Sequence, residues 1–314
     1  MRIPPNLNRG FPATLFAAAV LSAILWPVCI ALARVKLLKV EPSRTDPAIT
    51  NVHGPNIAIY DPQAPDRHRL LLFIVGTGAT ALGSRRIDTV FAKWGYHAVS
   101  IDYNDNVIAV ACAHSRNPEA FGEYRDAIVT GAPVCKLVHV TPADSIINRF
   151  QKMLLYLVKH DPRGGWGQFM KGGKPVWRNV IVAGHSQGSG HAAYLGKLFR
   201  VDRVLMFSGP QDFMDRYRRP APWLSEKSAT PPARFFAFLA RKDPFNVRHQ
   251  IANCVALMHL SKPATLMVQP GKTISPDRGI RILINNLPVK NPHGSTLLVR
   301  FKNVWKYMVT ARIR

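Results

Sequence analysis

The chain has 314 residues, 47% of them apolar, and its 42 Lys and Arg against 18 Asp and Glu give a formal net charge of +24. The apolar fraction supports a real core, and about 280 residues beyond the N-terminal segment suffice for one large α/β domain or two small ones. Basic groups dominate the surface, which favours electrostatic contact with an anionic envelope or reads simply as a solvated basic face. Their scatter, with no nucleic-acid-binding motif, excludes specific nucleic acid.

Residues 1–33 read as a secretory signal peptide. Arg2 and Arg9 form a basic start, Phe11 to Ile30 is an apolar run, and Ala31-Leu32-Ala33 is an A-x-A cleavage site. The alternative is an uncleaved anchor, because Phe11 to Ala33 is nearly long enough to span a bilayer. Either way the remaining domain, 34–314, is expected to be exported, periplasmic or secreted. Export permits a disulfide. Cys112 and Cys135 bracket a polar, loop-like stretch, His114 to Pro133, and are the expected pair. Cys254 lies in the apolar segment Ile251 to Leu260 and reads as a buried free thiol. No C-x-x-C, H-x-H or H-E-x-x-H pattern occurs, so no metal is expected.

Leu37 to Pro55 reads as a Pro-containing arm. Asn56 to Tyr60 is a short strand, and Arg69 to Val75 is a continuous apolar run, the mark of a strand covered on both faces. It stops at Gly76-Thr77-Gly78. A helix over Arg85 to Trp94 closes at Gly95, and Tyr96 to Tyr103 is the next strand. Thr141 is expected to cap a helix in which Ile146, Ile147, Phe150, Met153, Leu154 and Leu157 repeat at helical spacing. The Gly-rich stretch 164–173 lacks the G-K-[ST] of a phosphate loop, so no nucleotide or other cofactor is expected.

The most informative stretch is Asn179 to His191. A β-branched run ends in Gly184-His185-Ser186-Gln187-Gly188, followed by the small residues of a helix start. This is G-x-S-x-G in the context of strand, sharp turn and helix, which presents a serine hydroxyl above a sheet and at a helix N-terminus. Arg203 to Phe207 follows as a strand, then an aperiodic segment, 209–232, that reads as a short cap or as a surface excursion. Its Phe213, Met214, Tyr217 and Trp223 would line an acyl pocket or merely pack down. Arg234 to Ala240 and Ala264 to Gln269 are further strands, with a helix at Ile251 to His259 between them and a terminal helix at Val299 to Tyr307. Strands alternating with helices mean a mostly parallel sheet with helices on both faces.

The pattern from about Asn56 onward resembles the α/β-hydrolase fold, and the elbow resembles that of exported, uncharacterised bacterial α/β-hydrolases with G-H-S-Q-G-S-G. The resemblance implies a serine hydrolase, a carboxylesterase or lipase-like enzyme, with nucleophile, acid and histidine in that chain order. Ser186 is the nucleophile. Asp243 follows the strand at 234–240 and is the expected acid, with Asp212 as its rival. His293 lies in a late loop and is the expected base, while His249 and His259 sit in a predicted helix. The oxyanion donors would be the backbone N–H of Gln187 and that of Thr77, with Gly78 as the alternative. His185 reads as packing, His191 as a neighbour of the site, and Asp102 and Asp105 as loop residues. The expected substrate is a small-molecule or lipid ester. The competing class is a non-catalytic envelope-binding protein on the same fold.

Overall fold

The computed structural model describes Met1 and residues 35–313; the expected signal peptide lies outside the described residues. Apolar runs set the frame. Among the described residues one large sheet is built from β1 (Lys36–Val40), β2 (Asn56–Tyr60), β3 (Leu70–Ile74), β4 (His97–Ser100), β5 (Val180–His185), β6 (Arg203–Phe207), β7 (Phe235–Ala240), β8 (Thr265–Met267) and β9 (Ile282–Asn285). Their order across the sheet is β1-β2-β4-β3-β5-β6-β7-β9-β8. Both partners of β2 run antiparallel to it, and every other neighbouring pair is parallel. Strands β3, β6 and β7 are buried along their whole length, as strands covered by helices on both faces must be. The longer helices among the described residues are α1 (Arg85–Lys93), α2 (Ala120–Thr130), α3 (Ile146–His160), α4 (Gln187–Leu198), α5 (Val247–Leu257) and α6 (Lys302–Thr310). This is the expected α/β architecture, a mostly parallel sheet with helices, with the short strand β8 at one edge.

Several elements differ from the expectation. Lys36–Val40 is an edge strand paired with β2, not an arm. The stretch between Cys112 and Cys135 is not a loop throughout, because it holds α2. Ala120, Phe121, Tyr124, Ala127 and Ile128 recur at helical spacing and are buried, and Gly131 ends the helix in left-handed backbone, φ 82. The cap of α3 is Ser145, whose Oγ accepts from Asn148 N at 3.3 Å. Thr141 instead bonds Asp144 in the turn before it. Helix α5 starts at Val247, earlier than its apolar run suggests, because Asn246 caps it through Arg248 N. Strand β9 is absent from the sequence reading.

The expected Cys112–Cys135 bridge is not formed in this structure: Cys112, Cys135 and Cys254 are free thiols. Cys112 is packed inside the core and its thiol donates to Ala120 O at 3.5 Å. Cys254 is a buried free thiol, as its apolar segment implies.

Candidate active site

Strand β5 is short, apolar and β-branched, and it ends where the chain must reverse into α4. At the turn Ser186 has φ 57 and ψ −124, a conformation that costs a non-glycine residue on the order of 1–3 kcal/mol. Small residues make the turn sterically feasible. A Cβ on Gly188 would lie 2.1 Å from Ile74 O, and one on Gly184 would lie 2.1 Å from Gly188 O. Gln187 is the first residue of α4, so its backbone N–H has no partner within the helix.

Two later segments converge on this turn. Asp243 follows β7, and its Oδ1 accepts from Phe245 N at 2.9 Å. Its Oδ2 lies 2.8 Å from His293 Nδ1. His293 opens a short 3-10 turn after β9. Its carbonyl oxygen accepts from Ser208 Oγ at 2.6 Å and from His185 Nε2 at 3.1 Å. The rings of His185 and His293 are 4.7 Å apart, as are those of Phe245 and His293. The backbone of His293 is thereby tied to the residue preceding Ser186. Burial alone would raise the Asp243 carboxyl. The hydrogen bond and charge of His293, with the Phe245 N–H, outweigh burial and hold the carboxyl below its ordinary value. Burial and the neighbouring His293 push His185 down to about 4, so His185 is neutral near pH 7 and acts as a donor to the His293 carbonyl.

The loop after β3 abuts the elbow. A Cβ on Gly76 would lie 3.0 Å from Ser186 Cβ. Ala79 N donates to Gly76 O at 3.1 Å across a turn in which Gly78 takes φ 68. Thr77 Oγ1 donates to Gln187 Oε1 at 2.7 Å, and Ala109 N donates to the same oxygen at 3.1 Å. The two expected donor residues, Thr77 and Gln187, are therefore coupled through their side chains, and each keeps its backbone N–H for other work.

Asp212 is brought to a different task. Its carboxylate accepts from Arg125 Nε at 3.0 Å and Nη2 at 2.6 Å, and from Trp223 Nε1 at 3.0 Å. Arg125 and Asp212 side chains are both fully buried. Arg125 also donates to Gln187 O at 2.9 Å and packs so closely on Gly190 that a Cβ there would lie 2.2 Å from Nη2. His191 is buried, and burial with the Arg125 charge keeps it neutral. His249 stacks on Phe213 at 3.7 Å, and His259 lies beyond α5 with φ 50. Of the four side chains expected at an acyl pocket, Met214 and Trp223 are buried in the core, and Tyr217 is exposed and donates to Arg116 O at 2.5 Å. Asp102 and Asp105 lie in the loop after β4, as expected, and are buried there; Asp102 accepts from Arg149 Nη1 at 3.2 Å.

Gln211 and Arg125 are absent from the sequence reading. Gln211 Nε2 donates to Ser186 Oγ at 3.4 Å. A cavity of about 830 Å³ at the β8 edge, lined by Leu266, Val268, Ile274, Leu287 and Phe301 among others, does not include Ser186, His293 or Gln211 in its wall.

No family model matches the chain, and no curated protein matches it. Among solved structures it is similar to TT1662 from Thermus thermophilus, with 16% identity, coverage of 89% of this chain and 100% of that one, and a TM-score of 0.45.

Proposed function

We propose that the chain is an exported serine hydrolase that cleaves esters through an acyl-enzyme on Ser186. The observation that carries the reading is the Asp243–His293 pair, 2.8 Å apart, tied through the His293 carbonyl to the residue before a serine in strained backbone. In the acylation step the Ser186 Oγ–C bond forms as the Oγ proton passes to His293 Nε2 and the carbonyl π pair moves onto its oxygen. Asp243 holds the proton on Nδ1, which leaves Nε2 as the base, and stabilises the imidazolium that forms. The N–H groups of Gln187 and Thr77 are assigned to the developing oxyanion, aided by the α4 dipole. His293 then returns the proton to the leaving alkoxide oxygen as the C–O bond breaks. Water repeats the sequence on the acyl-enzyme and frees Ser186.

Export rests on the pattern of residues 1–33, and contact with an anionic envelope rests on the net charge of +24. The test is turnover of p-nitrophenyl esters of rising acyl length. Wild type hydrolyses them, and Asp243→Asn lowers kcat by on the order of 10³–10⁴ with similar binding, because the histidine tautomer is lost. An Asp243→Asn protein as active as wild type contradicts this assignment of the acid.

A further inference from the structure

We infer that Gln211 is a further catalytic residue, whose side-chain amide donates to the nucleophile oxygen and stays beside the reacting carbon during acyl transfer. The inference rests on the reading of Ser186 as the nucleophile and adds to it a fourth side chain at the reacting atoms.

The first observation is contact. Gln211 Nε2 is 3.4 Å from Ser186 Oγ. A serine hydroxyl has one proton to give and two lone pairs that accept. An amide N–H on one lone pair leaves the proton free to point at His293, so the contact orients the hydroxyl without competing for the base.

The second observation is how heavily this side chain is held. Gln211 is 5% exposed and Ser186 is 9% exposed. On the N-terminal side, Asn253 Nδ2 of α5 donates to Pro210 O at 3.0 Å. On the C-terminal side, Asp212 is clamped by the buried Arg125 guanidinium and by Trp223 Nε1. Phe213 N donates to Gln211 O at 2.8 Å, and Ala221 N to Asp212 O at 2.8 Å. A fully buried ion pair is an expensive way to stabilise a loop, since apolar residues of similar volume serve as well. Here the pair fixes the residue next to Gln211 and, through Gln187 O, the first turn of α4. One guanidinium thus sets the distance between the amide and the nucleophile.

The third observation is an unmet group. Gln211 Oε1 is buried and has no hydrogen-bond partner. A buried carbonyl left unpaired costs on the order of 1–3 kcal/mol. The amide is held against Ser186 at that cost, whereas a side chain serving only to fill space would be cheaper as leucine.

The donor role makes a specific claim about hydrogen-bond polarity. As the Oγ proton passes to His293, Oγ takes on partial alkoxide charge before its bond to the carbonyl carbon is complete, and an N–H donated to Oγ is stronger at that stage than to the neutral hydroxyl. Gln211→Leu keeps the volume and removes the donor. Gln211→Glu keeps the shape, donates only while the carboxyl is protonated, and opposes the oxyanion once ionised.

The experiment measures p-nitrophenyl butyrate turnover from pH 4.5 to 9, fluorophosphonate labelling of Ser186 and thermal unfolding for wild type, Gln211→Leu and Gln211→Glu. Gln211→Leu is expected to lose roughly 10–100-fold in kcat with KM changed less than threefold, somewhat less than the loss on removing an oxyanion-hole donor. Gln211→Glu is expected to add a falling limb to the pH profile where its carboxyl ionises, which wild type lacks. A folded Gln211→Leu within twofold of wild-type kcat, or a Gln211→Glu profile parallel to wild type, overturns the role of Gln211 while leaving Ser186 in place. Should Gln211→Leu fail to fold, the Gln211→Glu profile decides. A wild-type protein that neither labels nor turns over ester overturns both readings.

Discussion

Asp212 follows β6 and Asp243 follows β7, the next two strands beyond the elbow strand, and the structure gives them opposite liabilities. Asp212 sits in a fully buried pair with Arg125. Asp212→Ala leaves that guanidinium with Gln187 O as its remaining carbonyl partner and orphans Trp223 Nε1. Removing one member of a buried pair costs about 3–5 kcal/mol, because the other charge stays desolvated. At about 2–4 °C per kcal/mol for a domain approaching this size, the unfolding midpoint should fall by roughly 6–20 °C. Arg125→Met combined with Asp212→Leu should recover most of that loss, since the buried charge is gone along with its partner. Urea and thermal unfolding followed by circular dichroism measure the stability term, and p-nitrophenyl butyrate turnover of the folded fraction measures the chemical term. Asp243→Asn should show the reverse pattern, a large loss of kcat with a midpoint near wild type. An Asp212→Ala protein that unfolds within about 1 kcal/mol of wild type while its kcat falls by the ~10³–10⁴ expected for the acid would make Asp212, not Asp243, the partner of His293.

Burial raises the Asp88 carboxyl to about 7, against hydrogen bonds from Ser84 and Ser100 that lower it. A carboxyl raised on folding binds its proton more tightly in the native state. Its contribution to stability is therefore full below about 3.8 and is lost as pH rises toward about 7. Asp88→Asn should flatten the stability profile in that window, by up to ~1.4 kcal/mol per pH unit; a variant curve parallel to wild type would contradict the assignment. In reduced, folded protein lacking residues 1–33, a maleimide should react first at Cys135, which is half-buried. Burial pushes the Cys112 thiol up to about 12 and hides it; equal rates at the two positions, read by peptide mapping, would show that the core around Cys112 opens.

The elbow is legible because its constraints are local. Val180 to Ala183 must be apolar to lie between two parallel strands, and the small residues after Ser186 must be small to clear Ile74 O. Asp243 and His293 are legible by their order after strands, though the 2.8 Å contact between them is not. Strand β9 escapes notice because Ile282–Asn285 offers only four residues, too few for periodicity to separate strand from loop. Helix α2 carries a clear apolar repeat, but two flanking cysteines in a chain expected to be exported argue for a disulfide loop, and that inference hides the repeat. The Arg125–Asp212 pair spans 87 residues and Gln211–Ser186 spans 25. Neither leaves a pattern in sequence, because the pairing is made by the crossing of α2 and α4 and by the turn after β6.

An activated Ser186 is a nucleophile that a phosphonylating reagent captures covalently. The most direct measurement is the intact mass of the purified protein after exposure to a fluorophosphonate, followed by mapping of the modified peptide. A single adduct on Ser186 is expected, lost in Ser186→Ala and slowed in Asp243→Asn and in His293→Ala. An unmodified wild-type protein, or an adduct that persists in Ser186→Ala, would contradict it.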